Sequence, residues 1–171
     1  MTVFDSEPIR ELDRRGLVKD CSDIRGLDAV LATGKRIAVY AGFDPTARSL
    51  HVGHLTTLTV LRIFARHGHE VLPLIGTATA MIGDPTGRTA ARQMLSADDV
   101  GQNAAGVFRS ISLALGGAHA EIVRNGDWIG ETGLVWFLRE VGSRIPLSHL
   151  LAQESVKSRL GAEINARRPD G

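Results

Sequence analysis

Residues 37–54 read IAVYAGFDPTARSLHVGH, and the fold follows from how this stretch divides. Ile37 to Ala41 is a short apolar run with β-branched residues, which suits a buried strand. Gly42 to Gly53 carries glycine, an Asp-Pro pair and serine, the composition of a loop. Leu55, Leu58, Leu61, Ile63 and Phe64 then recur at helical spacing until Gly68. A strand therefore passes into an amphipathic helix through a glycine-bearing loop. The same order repeats downstream. His69 to Gly76 (HEVLPLIG) is a second strand candidate, which Pro73 weakens or places near an edge. Thr77 to Thr89 reads as a second Gly-rich loop. A helix is predicted from Ser96, with Asp98 and Asp99 in its first turn and Gly116-Gly117 as its stop. Glu121 to Arg124 is a third strand candidate, and helices are expected from Leu134 to Val141 and from Leu147 to Leu160. Upstream, Ile9, Leu12 and Leu17, then Leu27, Val30 and Leu31, mark two helices ending near Gly16 and Gly34, with Ser22 or Asp23 able to cap the second. Strands alternating with helices at this spacing predict an α/β fold built on a parallel sheet, with residues 1–35 as a helical segment ahead of it.

Composition narrows the class. The chain has 171 residues, 43% hydrophobic and 23% charged, which suits one ordinary globular domain with its own core. A net charge of +1 excludes binding nucleic acid through overall charge. Of 20 basic residues only Lys19, Lys35 and Lys157 are lysine. Arginine excess fits base composition of the genome, and it also fits phosphate recognition, because Arg forms bidentate pairs with phosphate oxygens. Cys21 is the single cysteine, so an intrachain disulfide and a multi-thiolate zinc site are excluded. The N-terminus has early acids and no apolar run of signal-peptide length, and no stretch is long enough to span a membrane. A cytoplasmic protein without a membrane partner is the expectation.

Both loops stand where a strand hands over to a helix, the position at which open α/β sheets bind ligands. In the first, His51 and His54 lie three apart around Gly53 at a helix start. There the glycine admits close approach, the helix N-terminus favours an anion, and imidazoles can donate to phosphate oxygens. As a metal site the pair lacks further ligands, so no metal is expected. Taken singly, these residues have plainer readings. Tyr40 would be a core residue with its hydroxyl at the rim, Asp44-Pro45 and Asp84-Pro85 turn formers, and Arg88 and Arg92 a solvated helix face.

The run GFDPTARSLHVGH resembles the His-x-Gly-His signature of class I aminoacyl-tRNA synthetases, and the preceding YAGFDPTA is similar to its form in the tyrosyl-tRNA synthetase family. Met81 to Arg88 (MIGDPTGR), DWIG at 127–130, FLREVG and ESVKSRL extend the likeness in order, from about Tyr40 to Leu160. The resemblance implies a Rossmann-like parallel sheet with helices on both faces, residues 36–171 forming the N-terminal half of the catalytic domain. It implies ATP-dependent activation of tyrosine to tyrosyl-adenylate and transfer to tRNA(Tyr), with ATP as a substrate carrying Mg2+ and no tightly bound cofactor. Activation in such a family works by positioning and charge stabilisation. By position, Thr46 and His51 would contact the departing pyrophosphate, and His54 the ribose or α-phosphate side of ATP, with Thr57 one turn later near the ribose. Gly42 and Gly53 would border the nucleotide. Tyr40 would bond the phenolic hydroxyl of the substrate, Asp44 would line the pocket between amino acid and nucleotide, and Thr79 would contact the amino acid. Asp84 would pair with the α-ammonium, and Arg88 and Arg92, four apart, would share one face suited to pyrophosphate.

The chain departs from the family pattern as well. Its three lysines are too far apart for a Lys-Met-Ser-Lys-Ser loop, and a tRNA anticodon-binding part is not expected here. Ala41 stands where a ribose-touching side chain is often found, and Pro146-Leu-Ser-His149 diverges from the usual run. The sheet implied by the resemblance is therefore incomplete, and a homodimer is expected only for the complete form. An alternative is a truncated paralogue that binds ATP or tyrosyl-adenylate without charging tRNA. A scaffold retained only for a partner fits less well, because Tyr40, Asp44, Thr46, His51, His54 and Asp84 are all in place.

Overall fold

The computed structural model describes residues 3–82, 95–117, 120–152, 156, 157 and 160. The described residues up to 82, together with 95–126, form one compact unit, and those from 127 onward a second. In the first, strands β1 (Ala38–Phe43), β2 (Glu70–Ile75) and β3 (Val123–Arg124) form a parallel sheet in that order. Helices α1 (Glu7–Arg14) and α2 (Ile24–Ala32) precede it, α3 (His54–Arg66) joins β1 to β2, and α4 (Thr77–Ile82) and α5 (Ala97–Leu115) lie between β2 and β3. The expected parallel α/β architecture is present.

The pleat divides β1 and β2 cleanly. Val39, Ala41 and Phe43 pair in register with Val71, Pro73 and Ile75, and this face meets the core. Ile9 and Leu12 of α1, Leu31 of α2, Leu58, Leu61 and Phe64 of α3, and Val107, Ile111 and Leu115 of α5 join the same cluster. Alternate residues point the other way, as the two-residue period of a strand requires. On that face Tyr40 is 73% exposed and Gly42 is exposed.

Pro73 stands in the central strand, not at an edge. Val71 and Ile75 accept from the N–H groups of Glu121 and Asn125, at 3.0 and 3.1 Å, so odd-numbered residues of β2 face β3. Pro73 belongs to that row and has no N–H to give. Pairing is correspondingly broken there: an isolated bridge joins Val71 to Ala120, and β3 itself holds only two residues.

The caps of α5 match its sequence signals. Ser96 Oγ accepts from Asp99 N at 3.1 Å, and Gly116 closes the helix with φ 59. The expected loop over 77–89 is corrected in part, because Thr77–Ile82 is the helix α4. Residues 83–89 lie outside the described residues. The start of α1 is capped from a distance. Asp28 of α2, only 3% exposed, accepts from Asp5 N (2.9 Å), Ser6 N (2.9 Å) and Ser6 Oγ (2.6 Å).

Glu11 ties α1 to the end of α3 through His67 at 3.2 Å and Arg66, and it also pairs with Arg15 at the end of its own helix at 2.9 Å. Burial pushes this carboxyl up, but the bonds from His67, Arg66 and Arg15 outweigh it and lower it from 4.5 to about 2. A depressed folded value stabilises the protein fully above the ordinary value. That contribution is lost as pH falls from about 4.5 toward about 2. Urea midpoints of the wild type are therefore expected to drop more steeply across this window than those of Glu11→Gln. Parallel curves would remove Glu11 as a source of acid sensitivity.

Helix α6 (Gly126–Ile129) begins on the last residue of the first unit, and the second unit continues with α7 (Leu134–Glu140), a 3-10 turn at Gly142–Arg144 and α8 (Leu147–Ala152). Helical residues recur at 156, 157 and 160. The apolar residues Leu134 to Leu138 of α7 are exposed.

Candidate active site

The carboxyl ends of β1 and β2 carry the candidate site. On β1, Tyr40 and Gly42 lie on the exposed face, and nothing stands within 4 Å of where a Cβ on Gly42 would project. Asp44 follows directly after the strand. Thr46 is exposed, and its N–H turns back to donate to Asp44 O at 2.9 Å.

The two histidines form one assembly. Their ring centroids are 4.0 Å apart, tilted by 45°, and the His54 ring lies 6.0 Å from that of Phe43 at the strand end. His51 Nδ1 accepts from Gly53 N at 3.1 Å, and His54 Nδ1 accepts from His51 N at 3.3 Å. An imidazole nitrogen that accepts holds no proton, so each neutral ring carries its proton on Nε2. Both rings are thereby set to donate away from the backbone. A Cβ on Gly53 would fall 2.9 Å from the His51 ring, so a side chain there would push that ring from its present place. Gly53 is the N-cap of α3, and the first N–H groups of the helix are met by the turn before it: His54 N donates to His51 O at 2.9 Å and Leu55 N to Val52 O at 3.0 Å. Thr57 is half-buried one turn further along α3.

The second strand end brings another pair together. A Cβ added to Gly76 would lie 2.6 Å from Thr79 Oγ1 and 2.9 Å from Asp44 Oδ1. Asp44 from the loop after β1 and Thr79 from α4 thus frame one point above the bare Gly76 backbone. Thr79 is fixed by donating to Gly76 O at 3.2 Å and accepting from Asn125 Nδ2 at 3.3 Å. Asn125, buried after β3, also accepts from Ala78 N at 2.8 Å, and Gly126 N donates to Thr77 Oγ1 at 3.0 Å. The turn after β3 therefore sets where α4 begins.

Of the residues expected from the sequence, Tyr40 and Gly42 lie on β1, Asp44, Thr46, His51 and Gly53 in the loop after it, His54 and Thr57 on α3, and Thr79 on α4. Asp84, Arg88 and Arg92 lie outside the described residues. Sequence reasoning missed Gly76 and Asn125. The signal for Asn125 was its place two residues ahead of the DWIG run.

A parallel sheet with a His-x-Gly-His helix start at the end of its first strand is the nucleotide-binding α/β fold of class I synthetases. Residues 32–167 match the family described as tRNA synthetases class I (W and Y), and the chain belongs to that family. It is 39% identical over 158 residues to a tyrosine--tRNA ligase of Staphylococcus carnosus, covering 91% of this chain and 37% of the relative. It is 42% identical over 159 residues to one from Neisseria meningitidis, covering 89% and 36%. A C-terminally truncated mitochondrial tyrosyl-tRNA synthetase of Aspergillus nidulans superposes with a TM-score of 0.77 at 32% identity, covering 91% of this chain and 48% of that one. The chain thus spans well under half the length of these curated relatives.

Proposed function

We propose that the chain binds tyrosine and ATP and forms tyrosyl-adenylate, the first step of charging tRNA(Tyr). The observation that supports this best is the meeting of Asp44 and Thr79 over Gly76, next to the paired His51 and His54. In the reaction a carboxylate oxygen of tyrosine attacks the α-phosphorus of ATP, the bond to the bridging oxygen breaks, and pyrophosphate leaves. Negative charge grows on the departing group. The Nε2–H groups of His51 and His54 and the hydroxyl of Thr46 donate to it, in a site that needs no covalent intermediate. Mg2+ enters as the counter-ion of ATP. Asp84 takes the α-ammonium, and Arg88 and Arg92 hold pyrophosphate oxygens. Gly42 and Thr57 border the nucleotide. Transfer to tRNA(Tyr) and a homodimer, both for the complete form, and a cytoplasmic setting belong to the same reading. Among the described residues, no helix is long and apolar enough to cross a membrane.

The test is tyrosine-dependent ATP–pyrophosphate exchange by the purified chain, with phenylalanine and tryptophan as controls. Exchange specific to tyrosine is expected, and a folded sample that shows none overturns the proposal for this chain. Tyr40 supplies the selectivity, because a site built to bond a hydroxyl rejects the analogue that lacks it. Tyr40→Phe is expected to narrow the preference for tyrosine over phenylalanine by about tenfold or more. Unchanged selectivity would take Tyr40 out of the pocket.

A further inference from the structure

We infer that α5 braces the loop carrying the two histidines, and that Asn103 and Gly106 are positioning residues for ATP; this rests on the activation reading above. Three contacts place the loop on one face of the helix. Asn103, 9% exposed, donates from Nδ2 to Pro45 O at 3.1 Å, and Pro45 is itself fully buried. Arg48 Nη2 donates to Gln102 Oε1 at 2.8 Å. A Cβ on Gly106 would fall 1.8 Å from Arg48 O and 2.7 Å from Arg48 C. Those atoms are backbone, so they cannot swing aside as a side-chain tip can.

The positions are informative. Gln102, Asn103 and Gly106 lie within one helical turn of each other, three and four apart, so they present a common face. They grip the loop at residues 45 and 48, between the end of β1 and His51. The loop does little to hold itself: within residues 44–50 a single backbone bond, Thr46 N to Asp44 O, is made. The adjoining face of α5 is ordinary core, through Val100, Ala104, Val107 and Ile111. The helix is anchored by that face and holds the loop with the one beside it. A loop fixed beforehand spares ATP the entropy of ordering it. Tyrosine, bound at the ends of β1 and α4, should not depend on the brace.

Asn103→Asp keeps the shape and removes the donor, leaving Pro45 O buried beside a carboxylate. The expected result is a KM for ATP raised about tenfold in pyrophosphate exchange, with the KM for tyrosine within about twofold of wild type. Gly106→Ala displaces the Arg48 backbone and is expected to lower kcat/KM for ATP about 100-fold. Because Gly106→Ala can also impair folding, amide hydrogen exchange is read alongside on both variants and the wild type. Amides of Thr46, Gly53 and His54 are expected to exchange about tenfold faster in Asn103→Asp, while those of β2 stay protected. Loop amides that exchange at the wild-type rate, or KM values for ATP and tyrosine that rise together, would overturn the inference. A wild type without pyrophosphate exchange whose loop still loosens in Asn103→Asp would sink the activation reading and leave the brace standing.

Discussion

Replacing His51 with alanine is expected to slow tyrosine activation about 10²–10³-fold, with tyrosine binding close to wild type. The reason lies in when each contact is made. The added negative charge on the departing pyrophosphate develops only as the bond breaks, so a donor aimed at it stabilises the transition state and not bound tyrosine. Thr46→Ala should act in the same direction. His51 has a second task, since its Nδ1 accepts from Gly53 N. His51→Asn retains an acceptor near that position and loses the Nε2 proton, so it separates loop geometry from donation. Both variants are expected to be comparably slow. Exchange rates and the dissociation constant for tyrosine, measured together, decide the matter. If tyrosine binding collapses while turnover of bound substrate survives, His51 belongs to the amino-acid pocket instead.

The second large effect is on stability. Asp28→Ala is expected to destabilise the chain by about 3 kcal/mol, because it strips the Ser6 N–H and Oγ and the Asp5 N–H of their acceptor at once. For a chain of this size that lowers the melting temperature by roughly 6–12 °C. Asp28→Asn keeps one acceptor oxygen and should lose about half as much. Burial pushes the Asp28 carboxyl up, yet the bonds from Ser6 and Asp5 prevail and hold it below its ordinary value. Its contribution is therefore complete above that ordinary value and fades on acidification, so the deficit of Asp28→Ala should shrink at low pH. A melting temperature that barely moves at neutral pH would show that α1 needs no cap from α2.

What could be read in advance was what is written locally. Ser96, Asp98, Asp99 and Gly116 announced both ends of α5, since each acts on the residues beside it. The strand and helix either side of GFDPTARSLHVGH were legible for the same reason, and that motif located Asp44, Thr46, His51 and His54. Helix α4 was not. TATAMI carries no apolar stripe and no capping residue of its own, and its start is fixed by Asn125 and Gly126, 47 and 49 residues away. Pro73 misled in a related way. Its cost depends on which neighbour its missing N–H would have faced, which only the pairing with β3 reveals. Asn103 and Gly106 were hidden in a helix whose pattern reads as plain core.

The alternation along β1 bears on how this family can change over time. Val39, Ala41 and Phe43 serve the interior, while Tyr40 and Gly42 lie on the exposed face to which we assign the site. Substitution can therefore tune one set without disturbing the other. Insertion or deletion of a single residue cannot, because it turns every side chain beyond it over to the opposite face. Tyr40 would enter hydrocarbon and Phe43 would meet the ligands in the same event. Residues 38–44 should thus evolve by replacement alone, at constant length, in every lineage that keeps the activity.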